Sequence, residues 1–216
     1  MFWNPIMNLS NFYNQLITNL AGAERIFEIL DIVPDISDES EATDMPRIKG
    51  DVRFNKVTFS YDGKVEVLKD LSFHVKEGET IALVGPTGAG KSTIVSLISR
   101  FYDINEGIIM IDGTNITSVS IESLRSQMGI MTQDTFLFSG TIKDNIRYGK
   151  LDASDTDIIE AAKAVHAHEF IMGFEYGYET KINERGSKLS VGQRQLIAFA
   201  RTMIAKPSIL ILDEAT

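Results

Sequence analysis

The stretch that decides the fold is Gly85-Pro86-Thr87-Gly88-Ala89-Gly90-Lys91-Ser92, which fits the pattern G-x-x-x-x-G-K-[ST]. An apolar run at 81–84 precedes it, so the pattern follows an expected strand and opens an expected helix. Glycines let the backbone turn tightly and bring its N–H groups against anionic oxygens, and the following helix directs the positive end of its dipole at them. We therefore expect this stretch to bind the phosphates of a nucleoside triphosphate.

Two side chains at the end of the loop have specific expected roles. Lys91 adds a full positive charge at the β- and γ-phosphates, and Ser92 offers the hydroxyl that a phosphate-bound Mg²⁺ takes as a ligand. The alternative is an ordinary glycine-rich turn between a strand and a helix, which the strand context makes the weaker interpretation. The predicted nucleotide-binding residues of the loop are Gly85, Pro86, Thr87, Gly88, Ala89, Gly90, Lys91, Ser92 and Thr93.

Composition limits the classes of partner and of metal site that the chain can have. Its 216 residues, 44% of them hydrophobic, suffice for one well-cored domain plus an appendage. A net charge of −9 argues against broad contact with nucleic acid, because non-specific binding there depends on clustered Lys and Arg. The chain has no cysteine, so it can form neither a disulfide nor a thiolate metal site.

The first 31 residues predict an amphipathic helix, because apolar residues recur there at intervals of three and four. Asparagines interrupt the pattern, so it contains no uninterrupted membrane-spanning run. The residues leave two interpretations open: a helix packed on its own domain, or the cytoplasmic end of a segment that continues into a membrane. The positions that carry the pattern are Phe2, Ile6, Leu9, Tyr13, Leu16, Leu20, Ala23, Phe27 and Leu30.

An acidic segment separates this helix from the rest of the chain. Six acidic residues and two prolines fall between 31 and 46, a composition that predicts a solvated linker. The expected organisation is therefore a helix at 1–31, an acidic linker at 32–49 and a domain at 50–216. Within that domain, residues 52–75 predict antiparallel strands, and the alternation of strands and helices beyond them predicts an α/β fold. The expected elements are strands at 80–84, 108–111, 129–131 and 209–212, and helices at 90–101, 121–126, 155–165 and 190–204.

The strand at 209–212 is uniformly apolar, which is typical of a strand buried on both faces, and it leads directly into two carboxylates. At the carboxyl end of such a strand, Asp213 can hold Mg²⁺ through a water molecule, and Glu214 can orient the water that attacks the γ-phosphorus. Two acidic residues that merely end a strand are the alternative, and the presence of Lys91 and Ser92 argues against it.

The motif Leu189-Ser190-Val191-Gly192-Gln193 resembles the L-S-G-G-Q signature of ATP-binding cassette (ABC) proteins. Gln133 stands where that family has its Q-loop glutamine, and Tyr61 matches its adenine-stacking aromatic. The resemblance covers about 51–216. It implies a P-loop NTPase core with a parallel sheet, an antiparallel β subdomain and a helical signature subdomain, all preceded by the amphipathic helix.

Within the family the chain looks most like exporters. Glu184-Arg185-Gly186 resembles their cross-interacting loop, and the segment 23–27 resembles the end of their last transmembrane helix, which favours the membrane interpretation of the first helix. The chain departs from the pattern at Val191, where the signature has its first glycine. The family's loop after Thr216 and its switch histidine are absent, so the domain is expected to be incomplete and, alone, weakly active.

The resemblance implies an ATP- and Mg²⁺-dependent ATPase in the cell membrane, with this domain on the cytoplasmic face and a transmembrane domain fused upstream. Two such domains would pack head to tail, each presenting its signature to the nucleotide of the other. The implied catalytic residues are Lys91, Gln133 and Glu214, and the implied metal ligands are Ser92, Gln133 and Asp213. A non-transporting ABC ATPase, a small-molecule kinase and a regulatory ATP-binding subunit are the rival interpretations.

Two further groups of residues carry weaker signals. The apolar patch Phe136-Leu137-Phe138 fits either core packing or a groove that docks a helix of the membrane domain. The pair His166 and His168 lacks a third metal ligand nearby, which favours a structural role.

Overall fold

The computed structural model describes residues 3–131, 136–183 and 189–212. The chain divides into two compact units, Met1–Ser37 and Asp38–Thr216. The first unit contains helix α1 (Trp3–Leu30), which has no buried residue. Among the described residues, no helix is both long enough and apolar enough to cross a membrane.

An antiparallel sheet opens the second unit. Its central strand β1 (Val52–Phe59) pairs with β2 (Leu68–Val75) on one side and with β3 (Glu106–Ile111) on the other, and the short strand β4 (Thr114–Asn115) extends the sheet beyond β3. This confirms the antiparallel strands that the β-branched and aromatic residues predicted. The buried face of this sheet belongs to the same hydrophobic core as the apolar side of helix α2 (Lys91–Ile98).

A mixed α/β region follows in the chain. After the short helix α3 (Ile121–Arg125), strand β5 (Met128–Met131) pairs in parallel with β8 (Ile209–Leu212). The expectation that 209–212 is buried on both faces is wrong, because Leu210 and Leu212 are exposed. Exposure alternates along β8 because successive side chains of a strand point to opposite faces, and the face that carries Leu210 and Leu212 is left uncovered.

A helical region with its own core completes the second unit. It holds the small sheet of β6 (Gly140–Thr141) and β7 (Lys181–Ile182) together with four helices. The helices are α4 (Ile142–Arg147), α5 (Asp155–Ala164), α6 (His168–Met172) and α7 (Val191–Met203). Helix α7 begins one residue after Ser190, whose side chain caps it.

The strand expected at 80–84 does not form. Ile81 and Leu83 are exposed, and Val84 is 93% exposed. A strand exists only when its backbone groups find partners in a neighbouring strand, and no segment of the described chain forms a ladder with 80–84. The prediction of a strand at 80–84 is therefore wrong, although the segment is apolar.

Residues 38–49, the larger part of the predicted acidic linker, belong to the second unit and pack within it. Met45 and Ile48 are buried in the core, and Thr43 forms an isolated bridge with Val119. The Asp38 carboxylate accepts a 2.8 Å hydrogen bond from the backbone N–H of Ile121. Part of the segment that composition suggested as solvated therefore contributes apolar side chains to the core, while its carboxylates accept backbone hydrogen bonds.

A buried cation follows helix α2. Arg100 is 2% exposed, its Nη1 donates to the carbonyl of Val119 at 3.0 Å, and its Nε donates to Asp103 at 3.2 Å. When a buried carbonyl loses a charged donor, the free energy of unfolding falls by more than the strength of the hydrogen bond, because water does not replace the donor. Arg100 thus ties the end of α2 to the loop after β4.

We expect Arg100→Met to lower the stability of the domain by about 3 kcal/mol, because the substitution keeps the bulk of the side chain and removes its donors. Thermal unfolding should show a fall of about 5–10 °C in the melting temperature. Arg53→Met is the matched control, since Arg53 lies exposed on β1 and pairs only at the surface. Equal melting temperatures for the two variants would contradict the anchoring role of Arg100.

Candidate nucleotide-binding site

The loop that precedes α2 depends on glycine. Gly88 and Gly90 adopt φ values of +83° and +84°, in the left-handed region that glycine enters without strain. A Cβ atom at Gly90 would lie 2.8 Å from the Leu68 side chain. The sequence expectation of a tight glycine-built turn is confirmed at these two positions.

The Lys91 side chain folds back onto the glycine loop that precedes it. Its Nζ donates to the carbonyl oxygens of Gly85 at 2.8 Å and Pro86 at 3.0 Å. Charged acceptors form stronger hydrogen bonds with an ammonium group than neutral carbonyls do, so phosphate oxygens are better partners than these two. The loop therefore holds a cation beside its own exposed backbone, ready for an anionic ligand.

The N-terminus of α2 has no side-chain cap, whereas α4, α5 and α7 each carry a complete capping box. The first N–H groups of a helix lack intrahelical acceptors, and the helix dipole adds partial positive charge there. Ser92 is exposed in this first turn, and Thr93 is buried behind it. An anion is the natural ligand for such an end.

Tyr61, which the family resemblance implies as the base-stacking residue, lies beside helix α2. Its hydroxyl is 3.1 Å from Thr93 Oγ1, and its ring remains 54% exposed. The ring also contacts Phe59 and Tyr102 edge to face, with centroid distances of 4.8 Å and 4.9 Å. Sequence reasoning missed Tyr102, although an exposed aromatic residue shortly after the phosphate-binding helix was a signal that could have found it.

The signature motif forms the start of α7. Ser190 Oγ accepts from the backbone N–H of Gln193 at 3.2 Å, and Gln193 Oε1 accepts from the N–H of Ser190 at 2.9 Å. Val191 is exposed and is the first helical residue, so the position where the signature has glycine does not require a positive φ. A Cβ atom at Gly192 would meet nothing within 4 Å. Leu189 is buried in the core of the helical region.

The phosphate loop and the signature belong to different parts of the second unit. Helix α2 contributes Ile94 and Leu97 to the core shared with the antiparallel sheet, whereas Leu189 packs in the separate core of the helices. Several predicted site residues lie outside the described residues, so the structure does not test their placement. These are Gln133, Asp213, Glu214 and the loop residues Glu184, Arg185 and Gly186.

An aromatic cluster with a half-buried arginine occupies the surface of the helical region. Phe138 contacts Phe136 at a centroid distance of 5.1 Å and Tyr148 at 4.5 Å, and all three rings are substantially exposed. The Arg201 guanidinium lies 5.3 Å from the centre of the Phe138 ring and donates to the carbonyl of Phe136 at 2.8 Å. Burial lowers the pKa of Arg201 from its ordinary value. Leu137, between the two phenylalanines, is fully buried, so the tripeptide both fills the core and presents a surface.

The histidine pair shows no sign of a metal site. His168 Nδ1 lies 2.9 Å from the hydroxyl of Tyr178, which orients the imidazole within the helical region. In the part of the chain that the structure describes, no group of three or more His, Cys, Asp or Glu side chains could hold a metal ion.

A glycine-dependent loop with an inward-folded lysine, followed by an uncapped helix in a mixed α/β fold, defines a P-loop nucleotide-binding protein. Comparison with known families narrows this class, because residues 68–216 match the model described as ABC transporter. The chain belongs to the ABC transporter family.

Relatives of this chain are ABC exporter components. It is 53% identical to an uncharacterized ABC transporter ATP-binding protein of Bacillus subtilis, YknV, over 100% of this chain and 36% of that protein. It is 47% identical to the ATP-dependent lipid A-core flippase of Syntrophus aciditrophicus, again over 100% of this chain and 36% of the relative. A solved bacterial Atm1-family ABC exporter with ATP bound superposes with a TM-score of 0.90 at 42% identity, covering 99% of this chain and 37% of that one. The chain thus spans about a third of the length of these relatives.

Proposed function

We propose that this chain is the part of an ABC exporter that binds and hydrolyses ATP and couples hydrolysis to transport across a membrane. The observation that carries the proposal is the Lys91 ammonium group, which folds back onto the exposed glycine loop from the first residue of the uncapped helix α2. The exporter names of several relatives and the ATP-bound exporter among similar structures support it. A triphosphate supplies the oxygen acceptors that the ammonium group and the helix N-terminus would share.

The chemistry would be divided among a few side chains. Lys91 would neutralise charge on the β- and γ-phosphates, and Ser92, exposed in the first turn of α2, would bind Mg²⁺ through its hydroxyl. Mg²⁺ would supply positive charge for the developing phosphate oxygens. We assign Gln133 and Asp213 to the Mg²⁺ shell and Glu214 to the polarisation of the attacking water, as the family resemblance implies.

The proposed partner for the signature is a second ABC domain. Ser190, Val191 and Gly192 are exposed at the start of α7, and their own chain leaves open space around Gly192. The capping box satisfies the N–H of Gln193, but the helix dipole still adds partial positive charge at this N-terminus, which suits the γ-phosphate of a nucleotide held by another subunit. ATP would then favour closure of two domains, and loss of the γ-phosphate would remove the contact that differs between closed and open states.

We propose that the upstream partner is a transmembrane domain, with this domain on the cytoplasmic face of the cell membrane. The exposed cluster of Phe136, Phe138 and Tyr148 is the surface that we assign to it, because a contiguous aromatic patch beside a half-buried arginine is suited to a helix of a partner domain. Helix α1 would be the end of the last membrane helix. This arrangement would let closure of the nucleotide site move the membrane helices.

The decisive experiment uses the full-length protein reconstituted in lipid vesicles. We expect ATP hydrolysis that requires Mg²⁺ and stops when EDTA removes the metal, because the phosphate charge is then no longer neutralised. ATP hydrolysis without movement of any solute, measured against a panel of lipid and amphiphile probes, would favour the non-transporting ABC ATPase. Absence of both ATP binding and hydrolysis would contradict the proposal as a whole.

A further inference from the structure

Three aromatic rings form a cluster next to the phosphate loop. Phe59 at the end of β1 is buried, whereas Tyr61 is 54% exposed and Tyr102 is 45% exposed. The Tyr61 ring is inclined at 82° to Phe59 and at 89° to Tyr102, both in edge-to-face contact. The rings of Phe59 and Tyr102 also contact each other, with centroids 5.8 Å apart. Tyr61 is therefore held from two sides, by one buried ring and by one surface ring.

The backbone of the chain fixes the segments that carry these rings. The N–H of Ser60 donates to Asn105 Oδ1 at 2.7 Å, and the N–H of Asn105 donates to the carbonyl of Thr58 at 3.1 Å. These two hydrogen bonds tie the end of β1 to the turn that follows α2. Tyr61 and Tyr102 each lie within three residues of this tie, so their approach is imposed by the fold.

Tyr102 is also anchored from the side of the phosphate-binding helix. The N–H of Phe101 donates to the carbonyl of Ser96 in α2 at 2.8 Å, and Arg100, two residues before Tyr102, is buried. The backbone at Tyr102 therefore keeps a fixed relation to α2, whose opposite end faces the phosphates. A ring that packs on Tyr61 from this position links the orientation of Tyr61 to the phosphate-binding helix.

We propose that Tyr102 is a positioning residue for the nucleotide: it holds the Tyr61 ring in the orientation that stacks on the base. The inference rests on the proposed nucleotide site and adds to it a residue that makes no contact with the phosphates. Without Tyr102, the Tyr61 side chain would keep its contact with Phe59 and its hydrogen bond to Thr93 Oγ1 but would have more freedom to move, and binding would then cost the entropy of ordering it. Tyr102 removes part of this cost before the nucleotide arrives.

The test compares two ligands that share phosphates and differ in the base. Binding of a non-hydrolysable ATP analogue and of inorganic tripolyphosphate, both with Mg²⁺, is measured on the full-length protein by calorimetry. We expect Tyr102→Ala to weaken the affinity for the analogue about three- to tenfold, the range that an aromatic pair contributes, with tripolyphosphate affinity unchanged. Tyr102→Phe keeps the ring and should restore the affinity. Hydrolysis at saturating ATP should keep its maximal rate in both variants.

A double-mutant cycle separates positioning from a general effect on folding. In the Tyr61→Ala background, Tyr102→Ala should cause no further loss, because the ring that it positions is gone. Tyr176→Ala is the matched control, since Tyr176 is an exposed tyrosine of the helical region. It should bind both ligands like the wild type.

Different failures carry different meanings. The positioning role would be overturned if Tyr102→Ala lost as much affinity for tripolyphosphate as for the analogue, or if it lost none for the analogue. It would also be overturned if Tyr102→Ala had its full effect in the Tyr61→Ala background. Each of these outcomes would leave the nucleotide site itself intact. Only a wild-type protein that binds neither ligand would reject the nucleotide site itself.

Discussion

Replacing Lys91 by Ala in the full-length protein is expected to lower ATP hydrolysis by a factor on the order of 10³, because the proposed site loses the charged group that we assign to the transferring phosphoryl oxygens. The ammonium group already lies against the loop, 2.8 Å from the Gly85 carbonyl. The measurement is the steady-state rate of phosphate release at saturating ATP and Mg²⁺.

The same substitution should leave folding almost unchanged. The carbonyls of Gly85 and Pro86 belong to exposed residues, so water can replace the lost donor. Thermal unfolding should therefore show a melting temperature within about 2 °C of the wild type, in contrast to the buried Arg100. Lys69→Ala is the matched control, because it removes the same charge from an exposed position on β2. A Lys91→Ala protein that hydrolyses ATP at a rate within twofold of the control would remove the loop from the active site.

The sequence predicted correctly the elements that depend on residues close together in the chain, such as a helix cap or a glycine turn. Ser190 with Gln193 three residues later forms a capping box, so the start of α7 could be placed to within one residue from the sequence. The glycines at 88 and 90 likewise specify their own turn, because no other residue enters that conformation so easily. The family motif then assigned chemistry to these elements, which packing alone could not do.

Features that depend on distant partners were harder to predict. The segment 80–84 has a strand-like composition, yet whether a ladder forms depends on which strands lie beside it, and that information is not in the segment. The six acidic residues between 31 and 44 suggested a solvated linker, but Met45 and Ile48 draw the end of this segment into the core. Tyr102 lies 41 positions from Tyr61, and backbone contacts such as the tie between Ser60 and Asn105 bring their rings together.

Substitution of Gly192 is expected to have the second large effect on ATP hydrolysis, although nothing in its own chain requires glycine at this position. A Cβ atom there would meet nothing within 4 Å, and Gly192 is an ordinary helical residue in the first turn of α7, without a positive φ. Local packing and backbone strain therefore do not demand glycine at this position. Under the proposed head-to-tail arrangement, the demand comes from the nucleotide of the second domain, which approaches this bare stretch of backbone.

Gly192→Asp is therefore expected to fold normally and to lose about 100-fold in ATP hydrolysis, because a carboxylate would face the γ-phosphate across the interface and like charges repel there. A carboxylate in the first turn of a helix stabilises that helix, so the melting temperature should not fall. Binding of a non-hydrolysable ATP analogue to the variant's own phosphate loop should stay within twofold of the wild type.

Two matched substitutions divide the effect of Gly192→Asp into charge and volume. Gly192→Asn has nearly the same shape without the charge, and Gly192→Ala adds only the Cβ atom for which this chain has room. We expect the loss of hydrolysis to decrease in the order Asp, Asn, Ala, since both repulsion and volume act only when a second domain closes over the nucleotide. Wild-type hydrolysis by Gly192→Asp would mean that this surface meets no nucleotide. A loss accompanied by a lower melting temperature would instead place the cause within the chain, contrary to the open space around Gly192.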